Sequence, residues 1–337
     1  MSDSEDRPST GDSPRLAARA SPGGMSHGLR ILLAFAAVYV IWGSTYLGIR
    51  IAVETIPPFL MAGARNLLAG ATLFAVLRAL GVAAPSAREW GHTALAGVLM
   101  LAIGNGLISW AEQLVPSNLT ALLVASVPLY TALLDWWRPG GQRPERVVFV
   151  GITVGFAGML LLALPQRGAL AAPSGAGVVA ILIASLGWAV GTLVARYGRR
   201  HPHSMMSSAQ LMLSGGGALM LIALARGEVG RFSFAAVGPR GALAFAYLVI
   251  VGSLVAFSAF GWLVTHTSPA LISTTAYVNP VVAVVLGWLL LGERLSPRAL
   301  LGATLIIVAV MVMTLGRGSV DRARGLIRGR RLRNRRA

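Results

Sequence analysis

Residues 31–51 read ILLAFAAVYVIWGSTYLGIRI and form the first long apolar block of the chain. It is 21 residues long, carries a single charge at Arg50, and is apolar along its length rather than on one periodic face. An α-helix needs about 20 such residues to cross the hydrocarbon core of a bilayer. Only helices and closed barrels cross that core, because lipid offers backbone groups no hydrogen-bond partner, and barrel strands alternate polar and apolar residues. The block therefore predicts a transmembrane helix.

Nine further blocks of this kind follow, so we predict an all-α integral membrane protein with ten transmembrane helices. The composition agrees, since 55% of the 337 residues are hydrophobic, 12% are charged and the mean hydropathy is +0.70. Soluble domains carry about 25% charged residues. The first block has no small-residue cleavage site, which indicates a retained span rather than a signal peptide. The other predicted spans are Pro58–Leu80, Gly91–Val115, Ser117–Trp137, Val147–Leu164, Gly175–Ala195, Ser204–Ala225, Gly241–Thr265, Pro269–Leu291 and Ala299–Leu315.

All 29 basic residues are arginine, and their placement predicts the topology. Ten spans put both termini on one side, and that side carries 21 arginines against seven on the other. Positive charge stays on the cytoplasmic side, so we expect a multi-pass protein of the bacterial inner (plasma) membrane with both termini cytoplasmic. The pI of about 11.7 then reflects topology and contact with membrane lipids, and no nucleic-acid partner is expected.

Rare residues recur at a fixed spacing along the chain, which predicts two similar halves. Because five spans per half is an odd number, the second half is expected to cross the membrane inverted, a plan that recurs in secondary transporters. The predicted organisation is a disordered cytoplasmic tail (1–28), a first five-helix repeat (29–164), a second five-helix repeat (175–315) and an arginine-rich cytoplasmic tail (316–337). The recurring residues are Trp42 and Arg50 with Trp188 and Arg196 (offset 146), and Trp110, Pro128 and Trp136 with Trp262, Pro280 and Trp288 (offset 152).

Four short motifs resemble those of a known family: WGSTY at 42–46, AR at 64–65, AYVNPVV at 276–282 and LGER at 291–294. They resemble the EamA family of the drug/metabolite transporter (DMT) superfamily, and within it the YedA-like branch. The resemblance implies a ten-helix basket whose central cavity is lined by spans one, three, four, six, eight and nine. It also implies a secondary transporter that exports small metabolites, such as amino-acid-like or drug-like solutes, by alternating access.

Polar and aromatic side chains inside the spans are the candidates for a substrate-binding site. Trp42 and Thr45 are three residues apart and Trp188 and Thr192 are four apart, so each pair shares one helix face. An aromatic ring beside a hydroxyl suits an amphipathic solute, and ordinary packing between helices explains the same pairs. The predicted substrate-binding residues are Trp42, Thr45, Arg65, Asn105, Trp110, Ser126, Trp188, Thr192, Tyr277 and Asn279.

Arg65 is the most informative of these candidates, because it is a charged residue inside a predicted span. It lies seven residues past Pro58, roughly 10 Å inside its span at 1.5 Å per residue. Burying arginine there costs on the order of 2.5 kcal/mol or more, so a helix carbonyl, a carboxylate or an anionic substrate group must offset the cost. A structural clamp and a substrate contact both remain open. The arginine tilts the expected substrate towards neutral, zwitterionic or anionic solutes.

Pro128 and Pro280 are predicted hinges, because a proline inside a helix frees the carbonyl four residues earlier. A plain kink is the alternative. Asn279, beside the second proline, is either a ligand for substrate or a partner for a neighbouring helix.

The acids lie near span ends, which disfavours strict exchange of cations for protons. Protons remain the candidate coupling ion, with Glu112 as the best site, although a solvated helix end is the favoured interpretation of that residue. The chain has no cysteine and no phosphate-binding, zinc or nucleophile motif. We therefore expect no catalytic residue, metal or cofactor, no enzyme activity, and a monomer or weak dimer with a small-molecule substrate. The rival functions are a membrane enzyme or lipid-carrier-handling protein, and a non-transporting membrane subunit.

Overall fold

The computed structural model describes residues 27–141, 143, 146–163, 174–267, 275–293 and 295–312. Within these ranges all regular secondary structure is helical, as predicted. Most of the two predicted tails, 1–28 and 316–337, lies outside the described residues. His27 and Gly28 are described, and they open the first helix.

The first half of the chain contains five apolar segments built from seven α-helices. The third is a single long helix whose middle is π-helical over Val98–Asn105. The fourth consists of two half-helices. The elements are α1 (His27–Ala52), α2 (Pro58–Ala79), α3 (Ala87–Gly97), α4 (Gly106–Ala111), α5 (Ser117–Val124), α6 (Val127–Trp137) and α7 (Arg146–Ala163).

The second half contains the other five apolar segments among the described residues. The eighth segment of the chain also has a π-helical middle, over Leu248–Val255. A short 3₁₀ helix, Phe234–Ala236, precedes that segment. The elements are α8 (Gly175–Tyr197), α9 (Ser204–Ala225), α10 (Glu228–Arg231), α11 (Pro239–Tyr247), α12 (Ala256–His266), α13 (Thr275–Leu291) and α14 (Pro297–Val312).

The ten apolar segments fall on the ten predicted blocks, and seven of them are long and apolar enough to cross a membrane. The shorter three are Arg146–Leu161, Val278–Leu291 and Pro297–Val312. The protein is therefore an all-α membrane protein, while the number of ten spans and the inverted orientation stay predictions.

The fourth span corrects one expectation, because Pro128 does not lie inside a continuous helix. Helix α5 ends at Val124, and Pro128 occupies the first turn of α6. Proline fits a first turn well, since the amide that it lacks has no helical acceptor there. Pro280, in contrast, lies inside α13 as predicted.

Close helix contacts depend on residues without side chains. A methyl group added to Gly70 of α2 would lie 2.8 Å from the Cβ of Met212 of α9. A methyl group added to Gly43 of α1 would lie 2.6 Å from the Cβ of Val282 of α13. Small residues at such points let two backbones approach and gain van der Waals contact, which drives helix association in membranes.

We call the end of the bundle that carries Ala52, Pro58 and Ser117 the distal end, and the end that carries His27 the proximal end. At the distal end α2 and α5 each begin behind a proline, Pro57 or Pro116, which offers no side-chain cap to the first amide groups.

Distant glutamates of the second half supply these caps. The buried Glu228 accepts a hydrogen bond from the backbone amide of Leu60 at 2.9 Å. Glu293 accepts hydrogen bonds from the amides of Ser117 at 2.9 Å and Asn118 at 3.0 Å. A carboxylate is favourable at a helix N-terminus, so these contacts join the two halves of the chain at the distal end.

Gly43→Ala is expected to destabilise the protein by about 1–3 kcal/mol, because the added methyl group overpacks the contact between α1 and α13. Gly217→Ala in α9 is the matched control, since a methyl group there meets nothing within 4 Å. It is expected to be neutral or to stabilise by up to about 1 kcal/mol. Thermal unfolding midpoints in detergent micelles measure both effects, and equal midpoints for the two variants would contradict this packing.

Candidate functional site

A cavity of about 240 Å³ lies inside the bundle. Seven spans contribute to it: the six that the family resemblance implied, and the second span with Arg65 and Asn66. Its lining residues are Trp42, Thr45, Tyr46, Ile49, Arg65, Asn66, Leu101, Asn105, Ile108, Ala121, Val124, Ala125, Val127, Pro128, Trp188, Phe257, Thr275, Asn279 and Pro280.

Eight of the twelve predicted site and hinge residues line this cavity: Trp42, Thr45, Arg65, Asn105, Pro128, Trp188, Asn279 and Pro280. Trp110, Ser126 and Thr192 are not among the lining residues. Trp110 packs against apolar clusters, and the hydroxyl of Ser126 donates to the Leu123 carbonyl at 2.6 Å. The side chain of Tyr277 lies outside the described residues.

Arg65 is 6% exposed and reaches from α2 to the π-helical segment of the eighth span. Its Nε donates a hydrogen bond to Ser253 Oγ at 2.9 Å. Its Nη1 is buried without a hydrogen-bond partner among the described residues, and no described carboxylate forms an ion pair with it. One nitrogen of the guanidinium is therefore held by the protein, and another has no partner among the described residues.

Two asparagines present acceptors to the same cavity. The Oδ1 atoms of Asn105 and Asn279 are buried and have no hydrogen-bond partner among the described residues. Asn66, a third lining residue, differs because its Nδ2 donates to the Ala62 carbonyl at 2.8 Å. A buried polar atom without a partner costs roughly 1–3 kcal/mol. The cavity thus combines a cationic donor with two neutral acceptors that the protein leaves unpaired.

Aromatic rings form the apolar wall of the cavity. The ring of Trp42 meets that of Phe257 edge to face, with the centroids 5.4 Å apart. The ring of Trp188 passes over Gly104, where an added methyl group would lie 3.0 Å from its Cε3 atom. The hydroxyl of Thr45 donates to the Trp42 carbonyl at 2.6 Å, so its proton is used within its own helix. These rings offer apolar contact to the body of a small solute.

The π-helical segments were not predicted, and both bring polar residues to the site. Asn105 ends the first segment, and Ser253, the partner of Arg65, lies in the second. Isolated π-helical turns inside α-helices occur frequently at functional sites. The sequence does carry a signal, since Asn105 stands between two glycines and Ser253 follows one, inside otherwise apolar spans.

Glu112 corrects a second expectation, because it is not a solvated helix end. It directly follows the third span, is 0% exposed, and neither of its carboxylate oxygens has a hydrogen-bond partner among the described residues. Glu293, Arg50 and Arg65 are the charged groups that act on this carboxylate.

Contacts between backbone and side chains bury Glu112 at the distal end, and we call this arrangement of the distal end closed. The guanidinium of Arg50 donates to the backbone carbonyl of Glu112, which joins α1 to the turn after α4. The same turn is joined to the start of α8 through the amide of Ser174 and the carbonyl of Leu114, 3.4 Å apart. Within the described residues no three His, Asp or Glu side chains group as a metal site would require.

Apolar helices around a cavity that contains a few polar side chains define a polytopic membrane protein with a chamber of solute size. The profile of the EamA-like transporter family matches residues 29–164 and 175–315, and the chain belongs to this family. The protein is therefore a membrane transporter.

Known proteins resemble the chain over most of its length. It is 42% identical to the "Uncharacterized inner membrane transporter YedA" of Escherichia coli (strain K12), over 84% of this chain and 90% of that protein. It is 28% identical to the "Probable terminal-alkyne amino-acid exporter" of Streptantibioticus cattleyicolor, over 82% of this chain and 92% of that protein. A solved crystal structure shares the fold at 21% identity with a TM-score of 0.58, covering 86% of this chain and 98% of the other.

Asn105→Leu is expected to stabilise the empty protein and to impair transport, because it removes a buried acceptor that lacks a partner. Asn66→Leu is the control from the same cavity, and it is expected to destabilise by about 1 kcal/mol through the loss of a formed hydrogen bond. Thermal unfolding and solute uptake are measured on both variants. A lower unfolding midpoint for Asn105→Leu would show that Asn105 holds the fold rather than a ligand.

Proposed function

We propose that the protein is a secondary transporter that exports small zwitterionic solutes of the α-amino-acid type by alternating access. The observation that carries this proposal is the set of unpaired cavity atoms: Nη1 of Arg65, Oδ1 of Asn105 and Oδ1 of Asn279. A carboxylate on the substrate would accept from Arg65, since charge-assisted bonds from arginine to carboxylate are strong. An ammonium group would donate to the asparagine oxygens.

The size of the cavity agrees with such a substrate. At about 240 Å³ it lies below the roughly 300–1,000 Å³ typical of pockets for drug-sized ligands. The aromatic wall of Trp42, Trp188 and Phe257 suits an apolar side chain. The S. cattleyicolor relative is named as an amino-acid exporter, and export is the direction that we propose for this chain.

Alternating access rests on two halves of opposite orientation, and contacts at both ends of α8 support that arrangement. Helix α1 runs from the proximal to the distal end. The start of α8 contacts Leu114 beside the distal turn, and at its other end Tyr197 donates to Asp135 at 2.7 Å, near the end of α6. Helix α8 thus runs from distal to proximal, opposite to α1, which is the relation expected of corresponding helices in inverted repeats.

The experiment is counterflow into liposomes that contain the purified protein. Labelled α-amino acids with small, branched and aromatic side chains are tested beside analogues that lack either the carboxylate or the ammonium group. We expect uptake of at least one amino acid and loss of uptake for both of its analogues. No counterflow for any amino acid, or equal counterflow for the analogues, would contradict the proposal. Formation of a new product would favour the membrane enzyme instead.

Arg65→Ala is expected to weaken the apparent affinity about 10- to 100-fold, corresponding to about 1.5–3 kcal/mol for a hydrogen bond to a charged group. Arg65→Lys keeps the charge without the planar donor fork and is expected to recover part of the affinity. Arg78→Ala, at the exposed end of the same helix, serves as the control. Protein level and transport are measured together, and an equal loss of both would indicate a structural clamp.

The orientation that we propose places the distal end outside and both termini in the cytoplasm, in line with the arginine distribution. The chain has no cysteine, so an introduced cysteine is the only thiol in the protein that a maleimide can label. We expect a membrane-impermeant maleimide to label Glu54→Cys at the distal end in intact cells, and Arg78→Cys at the proximal end only after lysis. The reverse pattern would place the termini outside.

A further inference from the structure

The carboxylate of Glu112 lies beyond the distal end of the cavity and continues its lining. Asn105 and Ile108 of the third span line the cavity, and Glu112 follows Ile108 by four residues in helical backbone conformation. Residues at that spacing share one helix face. Tyr46 and Arg50 of α1 are spaced in the same way, and Tyr46 lines the cavity. The faces of both helices that line the cavity therefore end in an ionisable residue at the closed end.

The groups that face Glu112 leave its carboxylate without a direct partner. They are Tyr46 and Arg50 from α1, Arg65 from α2, and Glu293 after α13. Arg50 donates to the backbone carbonyl of Glu112, and no described arginine forms an ion pair with the carboxylate. Glu293 already accepts hydrogen bonds from the backbone amides at the start of α5.

An ionised carboxylate in this position would be buried without a hydrogen bond, which is far more costly than burying the neutral acid. The closed distal end therefore favours the protonated form of Glu112. Opening would bring water to the carboxylate and remove the cost of ionisation, so the open form favours the charged acid.

The fold itself does not require an acid at this point. Trp110 recurs as Trp262 in the second half, which places Val264 at the position equivalent to Glu112. In contrast, Arg50 recurs as Arg196. The acid is thus an addition to one half of the repeat, at one end of the cavity.

We propose that Glu112 is a proton-binding site whose occupancy is linked to closure of the distal end. This rests on the alternating-access transport proposed above. On closure a proton from water on the distal side forms an O–H bond with the Glu112 carboxylate. On opening that bond breaks, and the proton returns to water while the carboxylate becomes charged. Because the closed form binds the proton more tightly than the open form, falling pH favours closure and rising pH favours opening.

Spin labels measure this link directly on the full chain, because it lacks native cysteine. Leu114→Cys and Phe234→Cys place labels at exposed positions of the distal end, on the two halves of the chain. Electron–electron distance distributions are recorded across a pH series in lipid nanodiscs. We expect the ratio of open to closed protein to rise with pH, by at most about tenfold per pH unit for one proton.

Glu112→Gln keeps the shape of the neutral acid and cannot ionise. It is expected to stay closed at every pH, while Glu112→Asp keeps a pH-dependent ratio. Glu54→Gln is the matched control, since Glu54 is an exposed carboxylate at the same end, 3.9 Å from Arg240. This control should behave as the unmodified chain does. A pH response that survives in Glu112→Gln, or no response in the chain with native Glu112, would overturn the proposal.

Amino-acid counterflow on the same preparations separates the two proposals. If counterflow persists while the distances between the spin labels do not change with pH, the proposed proton site is wrong and the proposed transport function is unaffected. Distances that respond to pH through Glu112, in a protein without amino-acid counterflow at any pH, would overturn the proposed substrate class.

Discussion

A polar group withdrawn from water inside an apolar bundle must find a partner, and this constraint organises the whole structure. Most described polar groups satisfy it locally or across the two halves. Thr45 donates to a carbonyl of its own helix, and Ser126 donates to the Leu123 carbonyl near the end of α5. Glu228 and Glu293 cap helices that prolines leave uncapped. Buried polar atoms that lack a partner are therefore informative, because each costs roughly 1–3 kcal/mol of stability.

Four of the exceptions lie at the cavity or just beyond it: Arg65, Asn105 and Asn279 keep unpaired atoms at the cavity, and Glu112 keeps an unpaired carboxylate beyond it. Ser185 and Gln210 also keep buried atoms without a partner among the described residues, and they do not line the cavity. A protein whose only task was to hold its fold would gain stability by replacing such atoms with apolar ones. The four at the cavity or beside it support the binding site that we propose, because a solute bound there would pair with atoms that the protein leaves unpaired.

Much of this architecture could be predicted from the sequence, because lipid leaves few options for a chain of long apolar blocks. Block length predicted the helices, and the positions of Trp42, Trp188 and Asn279 pointed to the cavity that they line. The π-helical segments could not be predicted, because local backbone winding depends on packing between helices rather than on composition.

The two errors have physical causes as well. Pro128 was taken for a proline inside a helix, whereas a break at residues 125–126 moves it to a first turn, where it is well tolerated. Glu112 stands at the end of an apolar block, and such a position usually meets water. Here Arg50 and the turn after α4 cover it, a contact between residues 62 positions apart that no local pattern reveals.

If the unpaired cavity atoms form a site for a zwitterion, a structure of the protein with the amino acid that gives the largest counterflow will show it. We expect the carboxylate of the ligand within hydrogen-bond distance of Arg65 Nη1, and its ammonium group against Asn105 Oδ1 and Asn279 Oδ1. Ordered water alone on these three atoms, with the amino acid bound elsewhere, would mean that the cavity is not the site.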